Sequence, residues 1–223
     1  MAEVLEPGEE FGGPGARDRA CSCGGSAPRG EGLSPGGVRT SRGVRTSDGD
    51  LRTSGDMPAG GARSRTYAWD DPTVIADAAG RLSGLEIVRA LLSGDLPAPP
   101  ITHTLGFRIA EAEPGHVVFS AEAAEYMYNP IGSVHGGVYA TLLDSAAGCA
   151  VHTLLPVGAR YTSLDLSVKF LRAMTTETGV VRCAGTVTHL GRRTALAEAR
   201  MTDGRDRLLA TATSSCLIVP APE

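Results

Sequence analysis

The sequence predicts an α+β domain in which one antiparallel sheet curls around a single long central helix. Three observations predict it. Six extended runs are joined by short turn-forming segments, which makes the sheet antiparallel. One helical stretch, Gly136 to about Leu155, interrupts the strands after the second run and is stopped by Pro156. That stretch carries Val138, Ala140, Leu142, Leu143, Ala146, Ala147, Ala150, Val151, Leu154 and Leu155 around most of its circumference, so it needs to be wrapped on most sides.

The elements follow in order. Residues 1–60 hold 14 of the 29 glycines and only seven residues of the Ile, Leu, Val and Phe type. Such a segment buries too little apolar surface to offset its ordering entropy, and residues 1–66 are expected to form a disordered tail. Gly43-Val44-Arg45-Thr46-Ser47 repeats Gly37-Val38-Arg39-Thr40-Ser41, a period too short for a solenoid unit. Translation from Met57 is an alternative reading of this region. The pair Cys21 and Cys23 has no second Cys or His pair nearby, so free thiols are expected there rather than a metal site.

Residues 67–99 read as a helical segment. Asp71-Pro72 is an N-cap followed by a first-turn proline. Ser83 and Glu86 form a capping box, Leu85, Val88, Leu91 and Leu92 recur at helical spacing, and Gly94 and Pro97 end the helix over 84–93. Residues 100–223 form the main domain. Its strands are expected at Ile101–Ala112, His116–Ala123, 162–172, 178–190, 193–203 and 206–218. His103 and His116 fall in strands on this reading. A single sheet of this size leaves exposed edges that favour dimerisation.

Composition narrows the function. A net charge of −4 and 4% aromatic residues argue against nucleic acid as a partner. Five scattered cysteines point to a reducing compartment, and the first ten residues lack the basic start of a secretory signal. The apolar stretch Val138 to Leu155 contains Asp144, Ser145 and His152 and is short for a membrane span. A cytoplasmic protein with no membrane partner is expected. No ligand spacing among His, Cys or carboxylates implies a metal.

Asp144 is the one acid within the apolar helix. A carboxylate there needs hydrogen bonds or a retained proton. It is either a structural acid bonded to a nearby group, or a general base or nucleophile tuned by partial burial. Upstream stands Asn129-Pro130-Ile131-Gly132-Ser133-Val134-His135-Gly136-Gly137. Asn129-Pro130 starts a turn, and His135-Gly136-Gly137 leads into the helix N-terminus. Free N–H groups and the helix dipole suit an oxyanion at that end, and glycine lets a substrate carbonyl approach the main chain. A tight turn that uses glycine for geometry alone is the plainer reading. His152 is expected to pack or to face the helix C-terminus, and Cys149 to be an inert buried thiol.

The pattern N-x-x-G-x-x-H-G-G, followed by an acid seven residues later, resembles the hotdog-fold acyl-CoA thioesterases of the phenylacetate-degradation (PaaI-type) subfamily. The resemblance spans about residues 100–219 and includes the strand order and the helix. It implies that Asp144 is the catalytic acid, that Gly136 polarises the carbonyl, and that Asn129 and the adjacent His135 belong to the same catalytic turn. It implies that Ser163 orients water, although Ser163 read alone is equally a strand-face hydroxyl. It further implies that coenzyme A, as part of the substrate and with no separate cofactor, lies along Phe170-Leu171-Arg172 and His189-Leu190-Gly191-Arg192-Arg193-Thr194. Arginines suit its phosphates chemically, whereas a solvated turn is the plainer reading of Arg192 and Arg193. The family often has proline after the Phe-Leu-Arg run, where this chain has Ala173.

Geometry adds a constraint. Gly136 and Asp144 stand eight residues apart, roughly 12 Å along a helix axis. A thioester carbonyl needs its oxyanion donor and its acid within about 3 Å of the reacting atoms. Two antiparallel helices related by a two-fold axis meet that need, so an obligate homodimer is expected, and the family resemblance suggests a dimer of dimers. The expected activity is hydrolysis of aryl- or medium-chain acyl-CoA. The alternatives are an acyl-thioester dehydratase or hydratase using His135 with Asp144, and a non-catalytic acyl-CoA-binding module. The helix over 84–93, Tyr139 and Leu142 are candidates for shaping the acyl pocket.

Overall fold

The computed structural model describes residues 61–221. The expectations for the tail, its repeats, Met57 and the Cys21/Cys23 pair lie outside the described residues.

Three short helices precede the sheet. In α1 (Thr73–Ala78) Pro72 itself occupies the cap position, and the Asp71 carboxylate accepts from the Thr73 N–H at 2.9 Å, so the capping pair sits one residue earlier than expected. In α2 (Gly84–Ser93) the capping box is present: the Ser83 N–H donates to Glu86 at 2.7 Å, and the Glu86 N–H donates to the Ser83 hydroxyl. Ile87 and Val88 are buried on its inner face, and Gly94 closes it in the left-handed conformation. The helix α3 (Pro100–Leu105) corrects the expectation of a strand from Ile101, and it places His103 on a helix. Proline at the first helical position is pre-set for a helix, and Gly106 accepts φ 69° at its end. That punctuation outweighs the β-branched Ile101, Thr102 and Thr104.

The sheet contains β1 (Phe107–Glu113), β2 (His116–Glu122), β3 (Arg160–Phe170), β4 (Val180–Leu190), β5 (Thr194–Asp203) and β6 (Leu208–Val219). All pairings are antiparallel, in the order β1-β2-β4-β5-β6-β3. Both β1 and β3 are therefore edges. The helix α4 (Gly136–His152) lies in the concave face. It ends three residues before the expected Leu155, and the Thr153 hydroxyl donates to the Ala150 carbonyl at 2.6 Å there.

Leu142, Leu143, Ala146, Ala147, Ala150 and Val151 of α4 are all fully buried. Burying one leucine-sized side chain contributes about 1.5–3 kcal/mol, so this helix organises the core. Small residues let it lie close to the sheet. A Cβ built on Gly185 of β4 would lie 2.1 Å from the Ala146 carbonyl oxygen. The central strand and the helix backbone are thus in direct contact.

Candidate active site

Residues of α4 face two different ends of the sheet. At its N-terminus, His135 is the cap, and its Nδ1 accepts from the Gly137 N–H at 2.9 Å. Among the described residues, the Gly136 N–H has no hydrogen-bond partner. Asn129 shapes the turn that leads there. Its Oδ1 accepts from the Ile131 and Ser133 N–H groups at 3.0 and 3.2 Å, and its Nδ2 donates to the Ser133 hydroxyl at 3.1 Å. One amide hydrogen of Asn129 is left for another acceptor.

Phe170, Leu171 and Arg172 border the same end. The Phe170 ring would lie 3.2 Å from a Cβ on Gly136, and it packs edge-on against Tyr139 with ring centroids 5.6 Å apart. The Tyr139 hydroxyl donates to the Arg172 carbonyl at 3.0 Å, and the Arg172 guanidinium donates to the Leu208 carbonyl at 2.8 Å. These groups, with Ser133, line a shallow pocket beside the free N–H.

Asp144 stands two turns further along α4, half-buried. The Ser163 hydroxyl of β3 donates to its Oδ1 at 2.9 Å. Local register explains this pairing. Tyr161 and Ser163 point toward α4, as do Leu166 and Val168, although these pairs differ in strand parity. A bulge between Ser163 and Asp165 resets the alternation. The Asp165 carboxylate takes the Ser215 N–H at 3.1 Å, and its carbonyl takes the Ser214 hydroxyl at 2.8 Å, which holds the bulge against β6. An edge-strand bulge thus delivers a hydroxyl to the acid.

Two residues near Asp144 are not evident in the sequence, because only the bulge and the helix turn bring them there. Cys149 and Tyr161 line one cavity with Asp144. Burial, and after it the Asp144 charge, push the Cys149 thiol up to about 12, so it is a poor nucleophile. Burial and the neighbouring Cys149 and Asp144 also push the Tyr161 phenol well above its ordinary range. His152 stacks obliquely on Tyr161 at 5.6 Å, and burial pushes its imidazole down. Leu142 is fully buried in the core and Tyr139 sits at the Gly136 end, so neither lines this cavity.

The hairpin that contains His189, Leu190, Gly191, Arg192, Arg193 and Thr194 joins β4 to β5. The Gly191 N–H donates to the Thr194 carbonyl at 2.8 Å, and the Ile218 N–H donates to the Arg193 carbonyl at 2.9 Å. Both arginine side chains are exposed. Ala195, Cys216 and Ser163 pair across three neighbouring strands, so this hairpin lies at the Asp144 end. Phe170 instead pairs with Ala210, seven residues from Leu217, the partner of Thr194. At about 3.3 Å per residue, the two ends are separated by roughly 23 Å along β6.

The expected site residues therefore fall into two separate groups on one chain. Asn129, His135, Gly136 and Phe170–Arg172 form one, and Asp144, Ser163 and the 189–194 hairpin form the other. Among the described residues, no group of His, Cys, Asp and Glu converges to hold a metal ion, and no helix is long and apolar enough to cross a membrane.

Comparison with known proteins places this geometry in context. Residues 131–210 match the model of the thioesterase superfamily. A 1,4-dihydroxy-2-naphthoyl-CoA hydrolase of Listeria monocytogenes is 27% identical over 109 residues, which cover 49% of this chain and 87% of the relative. The solved structure of a phenylacetic acid degradation-related protein from Ralstonia eutropha is 28% identical. It superposes with a TM-score of 0.54 and covers 58% of this chain and 98% of its own. A thioesterase family protein from Silicibacter pomeroyi is 27% identical with a TM-score of 0.54, covering 60% and 96%. The sheet and central helix are those of the hotdog fold.

Proposed function

We propose that this chain, whose residues 131–210 match the model of the thioesterase superfamily, is an acyl-CoA thioesterase whose site is built from two copies of the chain. The observation that carries this reading is the half-buried Asp144 with the Ser163 hydroxyl on its Oδ1 at 2.9 Å. The activity named for the Listeria relative, cleavage of an aryl-CoA thioester, agrees with it.

In the proposed reaction, the Gly136 N–H of one protomer binds the thioester oxygen, and the spare amide hydrogen of Asn129 supports it. Developing negative charge on that oxygen meets a fixed donor at a helix N-terminus. Asp144 of the second protomer acts on the carbonyl carbon, either by taking a proton from an attacking water or by attacking directly to give a mixed anhydride that water then opens. Ser163 fixes the carboxylate in both routes. The C–S bond breaks and coenzyme A leaves as a thiolate, which needs little acid assistance. Arg192 and Arg193 of the hairpin are free to meet its phosphates, and Phe170 to Arg172 border the entry to Gly136.

A dehydratase requires His135 as a second proton-transfer group. The Nδ1 of His135 already accepts the Gly137 N–H, which favours hydrolysis. Thiol release from a panel of acyl-CoAs tests the proposal. Asp144→Asn should lower kcat about 10²–10⁴-fold with the fold intact, the usual contribution of a positioned base. Activity close to wild type on every substrate would overturn the assignment.

A further inference from the structure

We infer that the apolar cavity beside Asp144 is a tail pocket, roofed by α2 and α3, for acyl groups of about eight to ten carbons; this rests on the thioesterase reading above. The cavity has a volume of about 420 Å³. Leu92 of α2 and Ile101 of α3 stand at its rim, Phe107 and Phe119 form the sheet side, and Cys149 and Tyr161 close the end near Asp144. Asp144, Ser145 and Tyr161 supply polar groups at that end, Ser93, Thr102 and Arg108 add polar groups beside α2, α3 and β1, and the rest of the lining is aliphatic and aromatic. An acyl group whose carbonyl meets Asp144 extends its tail past Phe107, Ile109 and Phe119 into mostly apolar surroundings.

Size sets the substrate class. An apolar cavity of about 150 Å³ holds one benzene ring. Nearly three times that volume holds a fused bicyclic ring or a straight chain of about eight to ten carbons, and it falls within the usual range of ligand pockets. An acetyl group leaves most of it empty, and a hexadecanoyl chain overruns it. Phe107 and Phe119 meet edge to face with centroids 5.5 Å apart, which fixes the sheet-side wall.

The roof is rigidly attached. Buried Ile87 and Val88 pin α2, the Gly84 N–H donates to the Leu155 carbonyl at 3.1 Å, and the Arg89 guanidinium binds Glu113 at 2.8 Å. This attachment leaves Leu92 and Ile101 at the water's edge, 40% and 46% exposed, as the apolar rim of an open mouth. Both α2 and α3 precede residue 131, where the match to the superfamily model begins. The roof of the pocket is thus built by a segment outside that match.

The test uses the full chain and acyl-CoAs from acetyl to hexadecanoyl, with 2-naphthoyl-CoA added. The variants Ile101→Trp and Leu92→Trp each fill the mouth from a different helix. Binding of decanoate by calorimetry provides a readout independent of turnover. The expected kcat/KM rises at least tenfold from acetyl to decanoyl or 2-naphthoyl and falls again at hexadecanoyl. Each tryptophan variant should lower decanoyl relative to acetyl turnover at least tenfold and weaken decanoate binding by a similar factor. The ratio of decanoyl to 2-naphthoyl rates in the wild type separates alkyl from aryl tails. A flat chain-length profile, or decanoate binding equal in wild type and both variants, overturns the pocket. Decanoate binding that is lost in the variants, with no thiol released from any acyl-CoA, retains the pocket and overturns the hydrolytic reading instead.

Discussion

Replacing Gly136 by proline removes one N–H group and puts the three ring carbons in its place. Gly136 is the first residue of α4, where the proline ring fits and no helical hydrogen bond is lost. Its predecessor His135 already has ψ 139°, the extended conformation that proline demands of the residue before it. A new Cβ would lie 3.2 Å from the tip of Phe170, a side chain 57% exposed and free to swing outward. The fold should therefore change by no more than about 1 kcal/mol. Loss of one oxyanion donor typically lowers kcat about 10²–10³-fold, or about 2.7–4 kcal/mol. Thiol release measured beside thermal unfolding separates the two effects. Gly136→Ala is the matched control, because it adds the same Cβ and keeps the N–H. The expected order is wild type, then alanine, whose methyl crowds the carbonyl but leaves the N–H, then proline far below. A proline variant within threefold of wild type at unchanged Tm would refute the role given to this amide.

Other outcomes follow from the same contacts. Gly185→Ala forces a Cβ to 2.1 Å from the Ala146 carbonyl, and the helix must move off the sheet by about 1 Å to relieve it. A gap of that size forfeits a quarter to a half of each dispersion contact along α4, so chemical denaturation should show a loss of at least about 3 kcal/mol; a change below about 0.5 kcal/mol would contradict the close approach. Ser163→Ala removes a hydrogen bond to the Asp144 carboxylate, a class worth about 1.5–3 kcal/mol, so kcat should fall about 10–10²-fold in the thiol-release assay. Burial pushes the Asp203 carboxyl up, but the Arg205 and Arg207 N–H groups and the Arg207 guanidinium outweigh it and hold the group below its ordinary range. Its stabilising effect is therefore present above the ordinary carboxylate value and lost as pH falls through the lowered one. Asp203→Asn should flatten the acid limb of a stability-pH profile, and an unchanged limb would contradict the assignment.

Much of the fold was legible because its signals are local. The Ser83 capping box and Gly94 bracket α2 residue for residue. The apolar circumference of α4 demanded a wrapping sheet, and five of the six strands fell close to their expected runs. The sixth was misjudged because Ile101, Thr102 and Thr104 carry strand propensity, while Pro100 and Gly106, which impose α3, act through backbone geometry. At the site, Asp144 and the His135-Gly136-Gly137 turn stood out by chemistry. The meeting of Ser163 with Asp144 did not, because the bulge before Asp165 resets which side chains face the helix and strand periodicity does not reveal it. Cys149, Tyr161 and the cavity they line depend on α2 and α3 closing over β1, a long-range packing event with no local pattern.

Mixed oligomers test most directly whether each site draws on two chains. Gly136→Pro and Asp144→Asn chains are each purified, confirmed inactive, unfolded together at equal amounts and refolded. A mixed dimer then pairs the intact Gly136 of one chain with the intact Asp144 of the other. Random assortment gives about half mixed dimers with one working site each, so about a quarter of wild-type activity should return. If the mixture stays as inactive as its parents while the refolded wild type recovers fully, the shared site is contradicted.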